Sequence, residues 1–150
     1  MSRVSPAAPR DLPLLVALED CFPVAQRWSA QSWSDELSAS NRHTVVCRAG
    51  ETIDAVATFA VTDDVVDLHR IITAPRARRR GLAGELLTAG IAWAQVRGAR
   101  RMLLEVEDTN AAALGLYDCH GFARIAERAN YYGPGAHAVI LQREIEGETS

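Results

Sequence analysis

A strand-like run from Val65 to Thr73 meets Pro75 and then an arginine-rich stretch, Arg76-Ala77-Arg78-Arg79-Arg80-Gly81-Leu82-Ala83-Gly84. Pro75 ends the strand because it has no amide hydrogen to give to a ladder. From Leu82 onward, Leu82, Leu86, Leu87, Ile91 and Ala94 recur at helical spacing, to about Arg97, and Gly98 is placed to stop the helix. A basic loop with small residues therefore lies between a strand and a helix. The first amides of a helix are unpaired and carry partial positive charge. Gly81, Ala83 and Gly84 leave room for an anion to reach them. That combination suits a phosphate or pyrophosphate. Neither G-x-x-x-x-G-K-S/T nor G-x-G-x-x-G is present. On these residues alone, a solvated arginine cluster before an ordinary helix is an equal reading.

The chain around this stretch has room for a substantial core. Its 150 residues, 48% of them hydrophobic, imply a single domain over 1–150. The formal net charge of −3 argues against direct nucleic-acid binding, so Arg78-Arg79-Arg80 reads as a local feature for a small polyanion. No apolar run reaches membrane-spanning length, and Met1-Ser2-Arg3-Val4 does not open a signal peptide. The expectation is a cytoplasmic protein with no membrane partner. Cys21, Cys47 and Cys119 fit neither a disulfide framework nor metal-ligand spacing, and most are expected to be buried free thiols. Cys119 has no activating base marked in the sequence. His69, His120 and His137 also lack ligand spacing, so no metal is expected.

In chain order, Arg3–Ser5 reads as a short strand, and Pro9 to about Asp20 as a helix ended by Phe22-Pro23. Ser32, with Asp35 three residues on, is a weak N-cap signal for a second helix. Trp28, Trp33 and Leu37 read as core, or alternatively as a substrate groove. His43–Cys47, Ile53–Val61 and Val65–Thr73 read as an antiparallel meander. Arg101–Val106 is a further strand, and Thr109–Tyr117 a helix capped by Asn110. Phe122–Tyr132 and Ala138–Ile145 are two last strands around Gly133-Pro134-Gly135. Strands surrounding a strand–loop–helix–strand unit give an α/β (α+β) fold with helices on both faces of the sheet.

Arg78-x-x-Gly81-x-Ala83 resembles the R/Q-x-x-G-x-G/A signature of the Gcn5-related N-acetyltransferases (GNAT). Downstream, Leu104-Glu105-Val106, Asn110-Ala111-Ala112-Ala113, Leu116-Tyr117, Gly121-Phe122 and Asn130-Tyr131-Tyr132 follow in the order that family uses. Together they resemble one branch of it, the bacterial ribosomal-protein-alanine N-acetyltransferases. The likeness is dense from about Ile71 to Tyr132. It implies a mixed, mostly antiparallel GNAT-like sheet of about six to seven strands. It also implies transfer of acetyl from acetyl-coenzyme A (acetyl-CoA) to a protein N-terminal amine. The target that the branch implies is the N-terminal alanine of the eighteenth small-subunit ribosomal protein. By the same resemblance, Arg79 to Gly84 (Arg79, Arg80, Gly81, Leu82, Ala83, Gly84) and Arg78 hold the phosphates. The backbone of Ile71, Ile72 and Thr73, on a strand splayed from Met102–Val106, holds the acetyl-pantetheine end, and Asn110 the pantetheine arm. Ala83 stands where a second glycine is commoner, Gly84 where a basic residue is frequent, and His137 where the branch often has an acidic one.

Amide formation from a thioester needs a neutral amine, a polarised carbonyl and a leaving thiolate. Glu105, between Leu104 and Val106, is the candidate base, activated by burial in an apolar strand. It can also be read as a surface glutamate paired with Arg101 on the same strand face. Tyr117 is the candidate acid, since a phenol titrates near pH ~10 and stays protonated. Its other reading is an aromatic packing on the sheet. Asn110 and Tyr117 are about two helical turns apart and can share a face. Tyr131 and Tyr132 are candidates for the substrate groove; by strand alternation one lines it and the other is core. Two other functions remain open: a GNAT acting on a small amine or a lysine, and a coenzyme-A-binding regulatory module without catalysis.

Overall fold

The third strand, β3 (Thr52–Thr62), shows how the sheet is covered. Every residue from Ile53 to Ala60 is buried, the mark of a strand packed on both faces. Phe59 points to α3 (Leu82–Val96), where Gly90 lies against its ring. The preceding residue, Thr58, points the other way and donates its hydroxyl to Glu36 of α2 (Ala30–Ser38) at 2.6 Å. Helices therefore lie on both faces, as expected. The computed structural model describes residues 3–146; Met1 and Ser2, the head of the segment read as lacking a signal peptide, lie outside them.

The remaining elements are β1 (Val4–Pro6), α1 (Leu12–Leu18), β2 (Arg42–Ala49), β4 (Val65–Thr73), β5 (Arg101–Glu107), α4 (Ala111–Cys119), β6 (Ala123–Gly133) and β7 (Ala136–Glu144). The seven strands form one sheet in the order β1-β2-β3-β4-β5-β7-β6. All neighbours are antiparallel except β4 and β5, which are parallel and joined by α3 as the crossover. The core runs from Leu15 and Trp33 under one face to Leu86, Leu87 and Ile91 on the other. Among the described residues no helix is long and apolar enough to cross a membrane.

Gly98 stops α3 as expected. Its φ is +74°, its amide donates to Gln95 at 3.1 Å, and the Ala99 amide donates to Ala94 at 3.0 Å. These are the two bonds of a Schellman cap. Other boundaries differ. The segment Pro9–Asp20 is not one helix: tight turns at Pro9–Asp11 and Glu19–Cys21 flank a seven-residue α1, because Pro13 has no amide to extend it backwards. The N-cap of α2 is Ser29, not Ser32; Ser29 Oγ accepts the Ser32 amide at 3.0 Å. The first strand spans Val4–Pro6, and β7 begins at Ala136, two residues before the expected start. Trp33 is fully buried, and its indole donates to Glu19 at 2.9 Å, so the core reading of that tryptophan holds. Trp28 packs beside it with ring centroids 4.9 Å apart.

Candidate active site

β4 and β5 are held together at only three positions, Val65–Arg101, Val66–Met102 and Asp67–Leu103. Beyond Asp67 the two strands diverge. A cleft of about 830 Å³ opens between them, with Leu68 to Thr73 on one wall and Glu105 to Glu107 on the other. Arg78, Arg79 and Gly81 to Gly84 also line it, as do Asn110, Leu116 and Tyr117 from α4 and Tyr132 from β6. Parted strand edges leave backbone amides and carbonyls that a ligand's own amides can satisfy. The splay that the resemblance implied is thus a property of this sheet.

The loop before α3 turns sharply. Arg79 has φ +65° and Gly81 φ +77°, and Gly81 is the N-cap of α3 with no side-chain cap. The amides of Leu82, Ala83 and Gly84 therefore start the helix without intrahelical partners, and these three residues line the cleft. Arg80 does not join Arg78 and Arg79. It pairs instead with buried Asp54 of β3 at 3.3 Å, and Arg76 takes the other oxygen of Asp54 at 3.2 Å. Arg80 thus ties the loop to β3 and, unlike Arg78 and Arg79, does not line the cleft. Asp54 gave no sequence signal for this, since it interrupts an apolar run like any exposed strand residue. A Cβ at Gly84 would meet the His120 ring at 3.4 Å, an ordinary van der Waals contact.

Glu105 lies on the wall formed by β5, opposite Ile140 of β7. It is not buried as expected. Its carboxylate is a third exposed and lies 3.5 Å from Arg128 of β6. The proposed partner Arg101 instead donates to Gln142 at 3.1 Å. Alternation explains the exposure: Met102, Leu104 and Val106 fill the core, and Glu105 takes the other face.

Tyr117 is 4% exposed and packs edge-on against Phe122, yet lines the cleft. Burial, with Tyr132 nearby as the lesser cause, pushes its phenol up to about 12. It therefore holds its proton throughout the neutral range. Packing and donation are compatible in one side chain here. Asn110 caps α4 through Oδ1, which accepts the Ala113 amide at 3.1 Å, and it also lines the cleft.

Tyr132 lines the cleft, but Tyr131 is neither on the cleft wall nor in the core. It is 52% exposed, and Arg128 lies over its ring at 5.3 Å. Strand alternation fails here because the ladder is broken. Arg128 pairs with Ala138 and Gly133 with Ala136, so four residues of β6 face one of β7. Asn130, with φ +56°, closes this excursion: its amide donates to His137 Nδ1 at 2.9 Å and its Oδ1 accepts from Gly135 at 2.8 Å.

Several cleft residues carried no motif, among them Phe22, His69, Arg70 and Glu107. Arg70 pairs with buried Glu19 and lies over the Phe22 ring at 4.2 Å. Among the described residues, Asp108, Glu127 and His137 bring ligand-type atoms within 4.8 Å of one another. They come from three separate segments, which is why their spacing concealed it, and they lie outside the cleft. Cys47 is buried, Cys21 half-buried and Cys119 exposed, so the expectation of mostly buried thiols holds for Cys47 alone.

A sequence model of the acetyltransferase (GNAT) family matches residues 12–122. The chain is 35% identical over 136 residues to the ribosomal protein bS18-alanine N-acetyltransferase of Escherichia coli (strain K12), covering 88% of each. It superposes on the crystal structure of the ribosomal-protein-S18-alanine N-acetyltransferase from Escherichia coli with a TM-score of 0.86 and 27% identity, over 98% of this chain and 95% of that one. The structure of yncA from Salmonella typhimurium with its cofactor acetyl-CoA shares the fold at TM-score 0.81 and 17% identity, over 98% of this chain and 95% of that one. With its splayed parallel strands, its arginine loop at a helix start and these likenesses, the chain belongs to the acetyltransferase (GNAT) family.

Proposed function

We propose that the whole chain is one N-acetyltransferase unit that moves acetyl from acetyl-CoA to the α-amine of a protein N-terminus. The target we favour is the N-terminal alanine of ribosomal protein bS18, which makes the cytoplasm the place of action. The observation that carries this reading is the cleft itself. It gathers helix-start amides and two arginines, an accessible carboxylate and a protonated phenol along one splayed pair of strands. The identity to an enzyme named for that alanine, over most of both chains, supports the target. Arg78, Arg79 and the amides of Gly81 to Gly84 suit the phosphates of the cosubstrate. The parted edge at Ile71 to Thr73 and the Asn110 side chain suit its amide-bearing arm. Glu105 takes a proton from the incoming amine, and Tyr117 gives one to the leaving sulfur. Tyr132 borders the amine's approach. An α-amine, with an ordinary pKa of about 7.7–8.0, needs far less help than a lysine at about 10.4.

The test is an alanine-start peptide that also carries an internal lysine, incubated with acetyl-CoA and sequenced by fragment-ion mass spectrometry. Acetyl is expected on the α-amine alone. Acetyl on the lysine with the terminus left free transfers the assignment to the lysine-acting class, and coenzyme binding without any transfer leaves the regulatory module.

The loop makes a separate prediction. A Cβ at Gly81 would meet nothing within 4 Å, so crowding is not what requires glycine there; the φ of +77° is. A β-branched residue in that conformation costs on the order of 1–3 kcal/mol. Gly81→Val is expected to pull the first turn of α3 out of register with the phosphates and to weaken acetyl-CoA binding at least tenfold, on the order of 1.4 kcal/mol. Titration calorimetry with undiminished affinity would remove the loop from the binding site.

A further inference from the structure

We infer that His69 is a second proton acceptor in this cleft, and that Glu36 is the residue that positions it; the inference rests on the acetyl-transfer reading above. The local chain path is unusual at this residue. Thr58 pairs with Arg70 and Phe59 with Leu68, so His69 is an extra residue in β4, a β-bulge. Bulges re-aim side chains, and they recur beside active sites. The bulge sits where the sheet opens. His69 is two residues past Asp67, and Glu105 is two residues past Leu103, the partner of Asp67 in the last paired position. The two side chains thus occupy equivalent places on the diverging strands, and both line the cleft.

The ring is oriented from behind. Its Nδ1 lies 3.0 Å and 3.2 Å from the two oxygens of Glu36. Glu36 is buried on α2, accepts the Thr58 hydroxyl and is met by Arg42 Nε at 3.1 Å. Burial alone would raise its carboxyl, but the bonds from His69 and Thr58, with Arg42, hold it below the usual carboxylate range. A carboxylate only accepts, so Nδ1 carries the hydrogen and, in the neutral ring, Nε2 is the free base. No protein group among the described residues hydrogen-bonds Nε2, and the side chain is 30% exposed. The other charged groups nearby are already engaged or lie across the cleft. Arg70, next in sequence, is committed to Glu19; Glu105 faces Arg128; Glu107 and Tyr132 line the cleft.

The chemistry has work for two acceptors. An α-ammonium carries three hydrogens and the amide product carries one. One proton leaves before the nitrogen lone pair attacks the carbonyl carbon, and a second leaves as the carbon–sulfur bond breaks. The thiolate takes one proton, from Tyr117. One proton is released overall, and the second taken from nitrogen restores the tyrosine. Glu105 and Nε2 of His69, on opposite walls, can each receive one of the two.

The test uses His69→Asn, whose amide can keep the bond to Glu36 but cannot take up a proton, and Glu36→Gln, which keeps shape and loses charge. Both are compared with the unsubstituted protein on an amine panel: the alanine-start peptide, a lysine peptide with a blocked terminus, and a small polyamine. Turnover across the panel judges the substrate assignment; the ratio of variant to unsubstituted kcat/KM on the best amine judges the dyad. For His69→Asn, kcat/KM is expected to fall at least about tenfold, as general-base roles do. Calorimetric acetyl-CoA affinity should stay unchanged. The acid limb of the pH profile should move to lower pH, because the acceptor left is a carboxylate, a class that titrates below imidazole. Glu36→Gln should move that limb in the same direction with a smaller loss of kcat and little change in KM. A merely structural histidine would lower the melting temperature and leave the profile in place. An unshifted acid limb with unchanged kcat/KM in His69→Asn overturns the inference.

Discussion

Glu105→Gln is expected to lower kcat by about 10²–10⁴-fold, the usual range for general acid–base catalysis, while acetyl-CoA still binds. The amide keeps the shape of the side chain and removes its basicity. Binding survives because Glu105 stands on the β5 wall, whereas the helix-start amides and arginines belong to the loop before α3. Stability should also survive. The one ion pair lost, to Arg128 at 3.5 Å, has both side chains a third or more exposed. Exposed pairs of this kind contribute about 0–1 kcal/mol. A large kinetic loss with a nearly unchanged melting temperature is therefore the signature of a base. Unchanged turnover across the pH range would return Glu105 to an ordinary surface glutamate.

Gly90→Ala should destabilise the protein although alanine is the better helix former. The propensity gain is about 1 kcal/mol. Against it, the new Cβ would lie 2.1, 2.3 and 2.6 Å from three ring atoms of Phe59, which is fully buried. Overpacking at a site that cannot relax costs about 1–3 kcal/mol and occasionally more. The ring is fully buried against α3 on one packed face of β3, so the upper end applies. A fall in melting temperature on the order of 5 °C is expected for a chain of this size. Adding Phe59→Leu should recover part of it. Gly115→Ala, on α4 with nothing within 4 Å of the new atom, should raise the melting temperature instead. A neutral Gly90→Ala would mean that the ring has room to move.

What could be read in the sequence was whatever depends on local pattern. The meander, the α3 face, the Asn110 cap and the Gly98 stop all follow from periodicity or from one residue's backbone preference, and the structure has each of them. The strand–loop–helix unit carried its basic, small-residue signature on its own residues. What could not be read depends on a slipped ladder or a distant partner. His69 is turned by one extra residue in β4, and nothing in Leu68-His69-Arg70 marks that slip. The exposed position of Tyr131 follows from four residues of β6 opposite one of β7, a count set by the far strand. Arg80 looks like its neighbours Arg78 and Arg79, and only the fold brings Asp54 beneath it. Glu105 was expected to be buried because its neighbours are apolar, but on a strand it is the residues two away that share a side chain's surroundings.

The parallel seam has a mechanical meaning. Load passes across a sheet through its ladders, and here the path between β1–β4 and β5–β7 narrows to three residue pairs. Apart from that seam, α3 is the main element packed across β1 to β5. The narrow joint between the two halves of the sheet thus adjoins the cleft, and along the parted edges beyond it a two-edged, amide-bearing guest would serve as the missing rungs. Extending the β4–β5 ladder past Asp67 would therefore be expected to close the cleft as it strengthens the sheet.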